Sequence, residues 1–231
     1  SGRYTKKKID GIEHLENELP VEIVGPGVHG KFIFWITKSD VFLYNTLGMT
    51  GWWSLSEAKS SRVLFKFDGL DLYFNDTRNF GTLKMVKGKG NLISKIQSLG
   101  PDMLSSDVTS NLFIERLREK SGWEITKALM SQSVVAGVGN YIKSESLWRT
   151  SINPRSRVCD LDDDTLSDLC DNIKQIMNES YESQTVKGKK YEMDVYGKKI
   201  DTSGNEVLKE KTDDGRTTYW CTKKQIKGVI K

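Results

Sequence analysis

The chain has 231 residues, 37% of them hydrophobic and 10% aromatic, with 35 Lys+Arg against 31 Asp+Glu and a formal net charge of +4. That length suits one large domain or two smaller ones, and the composition excludes a disordered tail. Cys159, Cys170 and Cys221 form no CxxC pair, no apolar run reaches the roughly 18 residues of a membrane span, and no signal-peptide core opens the chain. A disulfide scaffold and a four-cysteine metal site are therefore excluded, and the reading is a soluble protein of a reducing compartment.

In chain order, residues 19–87 read mostly as β. Short runs rich in Val, Ile, Phe and Tyr at 21–24, 32–36, 41–45, 63–67 and 70–74 are separated by turn signals such as Gly25-Pro26-Gly27, Lys38-Ser39-Asp40 and Asp68-Gly69. Residues 65–74 alternate on both sides of Asp68-Gly69, the pattern of a hairpin. Strands at this spacing predict a sandwich or barrel-like β domain.

After Gly88 the period becomes helical. Leu92, Ile93, Ile96 and Leu99 share one face, and Leu112, Phe113, Leu117, Ile125 and Leu129 continue the spacing. A helix over 161–177 is predicted from Asp162-Asp163-Asp164, favourable at a helix N-terminus, followed by Leu166, Leu169, Ile173 and Ile176 on one face. Before it, Gly137-Val138-Gly139-Asn140 makes a sharp turn into a helix over 141–149. Past Gln184, the runs 191–195 and 217–220 predict a long two-stranded hairpin. Residues 185–231 carry +5 and the rest of the chain −1, a distribution that suits a polyanion partner or a solubilising tail.

Three segments carry more than secondary structure: Gly30-Lys31-Phe32, Asp76-Thr77-Arg78-Asn79-Phe80-Gly81, and Gly137-Val138-Gly139-Asn140-Tyr141 with Glu145 one turn on. Taken singly, each is an ordinary strand start or turn. In this order, with Leu47-Gly48-Met49-Thr50-Gly51, Leu99-Gly100-Pro101-Asp102, Gln132, Ile152-Asn153-Pro154 and Gly215-Arg216-Thr217-Thr218-Tyr219, the chain resembles the formamidopyrimidine-DNA glycosylase/endonuclease VIII family over most of its length.

The resemblance implies an α+β protein: an N-terminal β-sandwich (residues 1–108), a helix-two-turns-helix DNA-binding domain (109–184) and a finger hairpin (185–231). It implies a base-excision-repair enzyme that flips an oxidised base out of duplex DNA, cuts the N-glycosidic bond and nicks the strand by β,δ-elimination through an imine. Its partner would be double-stranded DNA with oxidised bases or abasic sites, bound by a monomer without a cofactor and away from membranes. Carried over by position, Lys31 would contact phosphate beside the abasic sugar and support catalysis. Met49, Arg78 and Phe80 would fill the gap left by the flipped base, as an apolar wedge with a hydrogen-bonding partner for the orphaned base can. Asn140, in a glycine-rich turn opening a helix, and Arg216 would hold phosphates. Without the family pattern, core packing is the simpler reading of Met49 and Phe80.

Two departures modify the expectation. Zinc-bearing relatives have two CxxC pairs in the finger, whereas Cys221 stands here with Lys224 at its partner position, so a zincless finger without a metal is expected. The family nucleophile is an N-terminal proline followed by glutamate. Here Ser1-Gly2-Arg3-Tyr4 aligns with a later strand, and Pro20, Pro26, Pro101 and Pro154 are internal. The nucleophile is therefore expected upstream of residue 1, and residues 1–231 alone are expected to bind without cleaving. The loop near 184–185 is also shorter than in relatives. The alternative is a non-catalytic binder of abasic or damaged DNA. Lys6-Lys7-Lys8 gives no nuclear assignment, so nucleus, cytoplasm and a viral replication compartment stay open.

Overall fold

Alternating apolar residues and tight turns give the first half of the chain its sheets. The computed structural model describes residues 3–186 and 190–228, divided into two units, Ser1–Gln97 and Ser98–Lys231. The first unit opens with short helices α1 (Arg3–Lys6) and α2 (Ile12–Glu16). Strands β1 (Ile23–His29), β2 (Phe32–Thr37), β3 (Val41–Thr46), β4 (Gly51–Ser54), β5 (Ser61–Phe67), β6 (Leu70–Asp76) and β7 (Thr82–Lys87) follow, and helix α3 (Lys89–Gln97) closes the unit.

The strands form two antiparallel sheets, in the orders β1-β2-β3-β7 and β4-β6-β5. Val41 and Leu43 of β3, Phe74 of β6, and Leu83 and Met85 of β7 make their shared core. Trp53 of β4 joins the layers, with its ring centroid 5.4 Å from Trp35 and 5.1 Å from Phe74. Its indole N–H donates to the buried Asn45 Oδ1 at 3.1 Å, so this large residue leaves no polar atom unpaired.

Two local expectations for this unit are corrected. Gly25-Pro26-Gly27 lies inside β1 instead of forming a turn, paired with residues Phe34, Trp35 and Ile36. β1 is a sheet edge with a register shift between Ile23 and Gly25, where proline and glycine are tolerated. A Cβ at Gly27 would lie 2.3 Å from Phe34 Cζ. The strand expected around Tyr4 is instead α1. The Tyr4 hydroxyl accepts from the Leu83 N–H at 2.9 Å while its ring packs on the sandwich core, so tertiary contacts set the backbone there. Ser1 and Gly2 lie outside the described residues.

The second unit holds α4 (Ser110–Arg118), α5 (Ile125–Met130), α6 (Asn140–Arg149), α7 (Asp163–Thr185) and the hairpin strands β8 (Leu208–Lys211) and β9 (Thr217–Trp220). Phe113, Leu117, Ile125, Leu129 and Leu147 pack with Leu166, Leu169, Ile173 and Ile176, the predicted face of α7. Asp162 caps α7 by accepting the Thr165 N–H at 2.8 Å, and Asp163 and Asp164 occupy its first turn. The described residues contain no helix long and apolar enough to cross a membrane.

The finger hairpin differs from expectation in its first strand: β9 pairs with residues 208–211 and not with 191–195. The cause is Glu145 of α6, which is fully buried. Its carboxylate accepts from the N–H groups of Asp194 (2.6 Å), Val195 (2.9 Å) and Tyr196 (2.6 Å), which removes those donors from any ladder.

Candidate nucleic-acid interface

The first group of expected site residues sits on two adjoining connections of the sandwich. Between β3 and β4, the Gly51 N–H closes a turn on the Leu47 carbonyl at 2.8 Å, with Gly48 at φ +62° and Met49 at the tip. A Cβ on Gly48 would lie 2.8 Å from the Phe80 carbonyl carbon, so this connection rests directly on the backbone of the one between β6 and β7. There Asn79 takes φ +58°, a left-handed conformation that asparagine tolerates better than most residues.

The geometry brings Met49, Arg78 and Phe80 together. The Arg78 guanidinium carbon lies 4.6 Å from the Phe80 ring centroid, and Arg78 Nη1 is 3.6 Å from Met49 Sδ. Met49 is 67% and Phe80 53% exposed, which rules out core packing for both. Beneath them lies Asp76, 1% exposed. Its Oδ1 accepts from the Thr50 hydroxyl (2.6 Å) and the Arg78 N–H (3.2 Å), and its Oδ2 from the Gly81 N–H (2.7 Å). Burial alone would raise the carboxyl pKa, but bonds from Thr50 and from the Gly81, Arg78 and Asn79 amides hold it below the usual carboxylate range.

Lys31 lies in the two-residue turn between β1 and β2, where His29 faces Phe32. Gly30 supplies the positive φ, +57°, that such a hairpin requires at its first central position, and Lys31 is exposed at the tip.

In the second unit the other two expected residues meet. Gly137 (φ +96°) donates its N–H to Gln132 Oε1 at 3.0 Å, and Gln132 Nε2 donates to the Val138 carbonyl at 3.1 Å. This fastens the turn into α6, whose first amides lack intrahelical partners. Asn140, the first residue of α6, donates Nδ2–H to the Thr217 carbonyl at 2.9 Å, next to Arg216, while its Oδ1 has no protein partner.

Arg216 is held from below by a buried pair. Lys143 Nζ lies 2.6 Å from Asp214 Oδ2, with their side chains 0% and 2% exposed. Burial pushes the Lys143 pKa below the ordinary lysine value although Asp214 acts in the opposite direction. Asp214 Oδ1 also accepts from the Thr212 hydroxyl at 2.6 Å and the Arg216 N–H at 3.3 Å. Glu124 Oε2 accepts the Asp213 N–H at 3.0 Å, so α6 and the residue before α5 both clamp the turn that carries Arg216.

At the base of the finger, Trp148, Val195, Val207 and Cys221 form a small core with Tyr219 packed on it. The Trp148 indole N–H donates to Asp201 Oδ2 at 2.9 Å, and Lys224 Nζ lies 4.1 Å from the Trp148 ring centroid. Gln225 bridges the Cys221 N–H (2.8 Å) and the Ile152 carbonyl (2.9 Å). One thiol beside an ammonium and an indole does not fit a tetrahedral zinc ion. No group of three or more His, Cys, Asp and Glu side chains suited to a metal occurs among the described residues.

Sequence reasoning assigned no role to Asp76, Lys143, Asp214 or Gly48. Asp76 does open the Asp-Thr-Arg-Asn-Phe-Gly segment, but an acidic residue at a strand end is ordinary, and Lys143 and Asp214 are 71 residues apart.

Two family models match the chain. The model of the Formamidopyrimidine-DNA glycosylase N-terminal domain matches residues 7–83, and that of the Formamidopyrimidine-DNA glycosylase H2TH domain matches residues 99–190. A Formamidopyrimidine-DNA glycosylase of Prochlorococcus marinus (strain NATL1A) is 34% identical over 204 residues, covering 78% of this chain and 72% of the relative. One from Lactobacillus helveticus (strain DPC 4571) is 30% identical over 246 residues, covering 96% and 88%. Among solved structures, Lactococcus lactis FPG (MutM) in complex with FAPY-dG containing DNA superposes with a TM-score of 0.80 at 28% identity, covering 94% of this chain and 87% of that one. Lactococcus lactis Fpg with an abasic site containing DNA gives 0.79 at 28% identity, covering 93% and 86%. With the sandwich, the helical unit and these matches in agreement, the chain belongs to the formamidopyrimidine-DNA glycosylase family.

Proposed function

We propose that this protein is a base-excision-repair DNA glycosylase with AP lyase activity, acting as a monomer on duplex DNA that carries oxidised bases or abasic sites. The observation that carries the reading is the exposed cluster of Met49, Arg78 and Phe80. Extruding a base costs stacking and pairing energy and leaves a void. A thioether and a ring held above the surface replace the lost stacking, and the guanidinium between them offers hydrogen bonds to the orphaned base.

The remaining residues grip the backbone. Asn140 and Arg216, adjacent through Thr217, hold phosphates with the free amides at the start of α6. Lys31 contacts the phosphate beside the abasic sugar and supports glycosidic cleavage, after which elimination through an imine nicks the strand. The test is affinity for a duplex carrying one tetrahydrofuran abasic-site analogue against the same duplex undamaged, at one salt concentration. The reading predicts tighter binding of the damaged duplex by about tenfold or more, a small part of the roughly 10³–10⁷ that can separate specific from non-specific binding. Equal affinity would reduce the protein to a sequence-blind polyanion binder.

A further inference from the structure

We propose that Asp76 is a positioning residue whose buried carboxylate ties the Met49 connection to the Arg78–Phe80 connection, so that the three side chains enter the duplex as one preformed unit. The inference rests on the reading of those three as void fillers. The two oxygens of Asp76 divide their work. Oδ1 takes the hydroxyl of Thr50, next to Met49, at 2.6 Å and the amide of Arg78 at 3.2 Å. Oδ2 takes the amide of Gly81, next to Phe80, at 2.7 Å. Thr50 Oγ1 in turn accepts the Arg78 N–H at 3.1 Å, which closes the link between the connections.

The Phe80 connection contains Asn79 at φ +58°, a left-handed conformation that a non-glycine residue keeps only where the surroundings fix it, and the Met49 connection turns at Gly48 (φ +62°), where glycine meets no such cost. The Arg62 Nε–H donates to the Asp76 carbonyl at 2.6 Å and steadies the end of β6. Exposed Met, Arg and Phe side chains would otherwise lose conformational freedom on insertion. A scaffold ordered beforehand lowers that cost and aims all three at one void.

The experiment compares single-turnover excision by the full protein for Asp76→Asn, Met49→Ala and the double variant. The fluorescence of 2-aminopurine opposite the lesion is followed in parallel to report insertion. Asn keeps the size of Asp but cannot accept from the Thr50, Arg78 and Gly81 donors together. The expected result is a loss of about tenfold or more in excision rate and a weakened 2-aminopurine change for Asp76→Asn, with the salt slope of binding unchanged. The double variant should then lose clearly less than the product of the two single losses, because the tie from Asp76 through Thr50 has no Met49 left to position.

Multiplying effects in the double variant, or an unaltered 2-aminopurine change in Asp76→Asn, would overturn the positioning role. A Met49→Ala variant as fast as the parent would instead overturn the void-filling reading beneath it. Should Asp76→Asn not fold, Thr50→Val removes the tie to the Met49 side alone and is judged by the same cycle.

Discussion

Replacing Lys143 by methionine keeps the reach of the side chain and removes its charge. Asp214 then remains 2% exposed without the ammonium 2.6 Å away. No solvent reaches the site to take over, and removing one partner of a buried ion pair costs about 3–5 kcal/mol. Asp214 would keep the Thr212 hydroxyl and the Arg216 N–H as donors, so the expected loss lies near the lower end, about 3 kcal/mol. That is a large share of the roughly 5–15 kcal/mol that stabilises a domain. Native-state hydrogen exchange of the α6 amides measures it, since α6 carries Lys143. Removing both charges in Lys143→Met/Asp214→Asn should recover most of the loss, leaving a deficit below about 1.5 kcal/mol. A single-variant cost under about 1 kcal/mol, or a double variant no more stable than the single, would refute the reasoning.

Three further outcomes follow from the same geometry. Gly48→Ala places a Cβ 2.8 Å from the Phe80 carbonyl carbon at φ +62°, and should destabilise the first unit by about 1–3 kcal/mol, read as a lower urea midpoint. Arg216→Ala should flatten the dependence of log affinity on log salt by about one unit, whereas Arg78→Ala should slow lesion processing with a smaller change of slope; equal slopes would argue against separate phosphate-holding and void-filling roles. Asp76 and Asp201 have carboxyls held below their unfolded values, burial being outweighed by hydrogen bonds in both. Their stabilisation is complete above the ordinary carboxylate pKa of about 4 and is lost as pH falls through the lower folded values. Acid unfolding of Asp76→Asn should therefore show a shallower loss over that window than the parent.

Where local pattern and long-range packing agree, the sequence alone was sufficient. The α7 face of Leu166, Leu169, Ile173 and Ile176 is fully buried, as its 3.6-residue spacing requires, and residues 65–74 form a hairpin around Gly69 at φ +73°. Where a distant partner decides, it was not. Gly25-Pro26-Gly27 carries strong turn chemistry, yet pairing with β2 at a sheet edge overrides it. Residues 191–195 look like a strand until Glu145, some 50 residues earlier in the chain, takes their amides. The candidate site divides the same way. Short motifs name Met49, Arg78, Phe80, Asn140 and Arg216 as candidates, while Asp76 and the Lys143–Asp214 pair lie beneath them and show only when the chain is folded.

The most direct measurement is borohydride treatment of the native protein mixed with duplexes carrying an oxidised purine, an oxidised pyrimidine or an abasic site. An AP lyase passes through an imine between an enzyme amine and the sugar, which borohydride reduces to a stable covalent adduct. The account predicts a protein–DNA adduct on damaged duplex, none on undamaged duplex, and slower adduct formation in Lys31→Ala. Tight binding of the damaged duplex with no adduct and no strand nicking would contradict it and leave a protein that recognises lesions without repairing them.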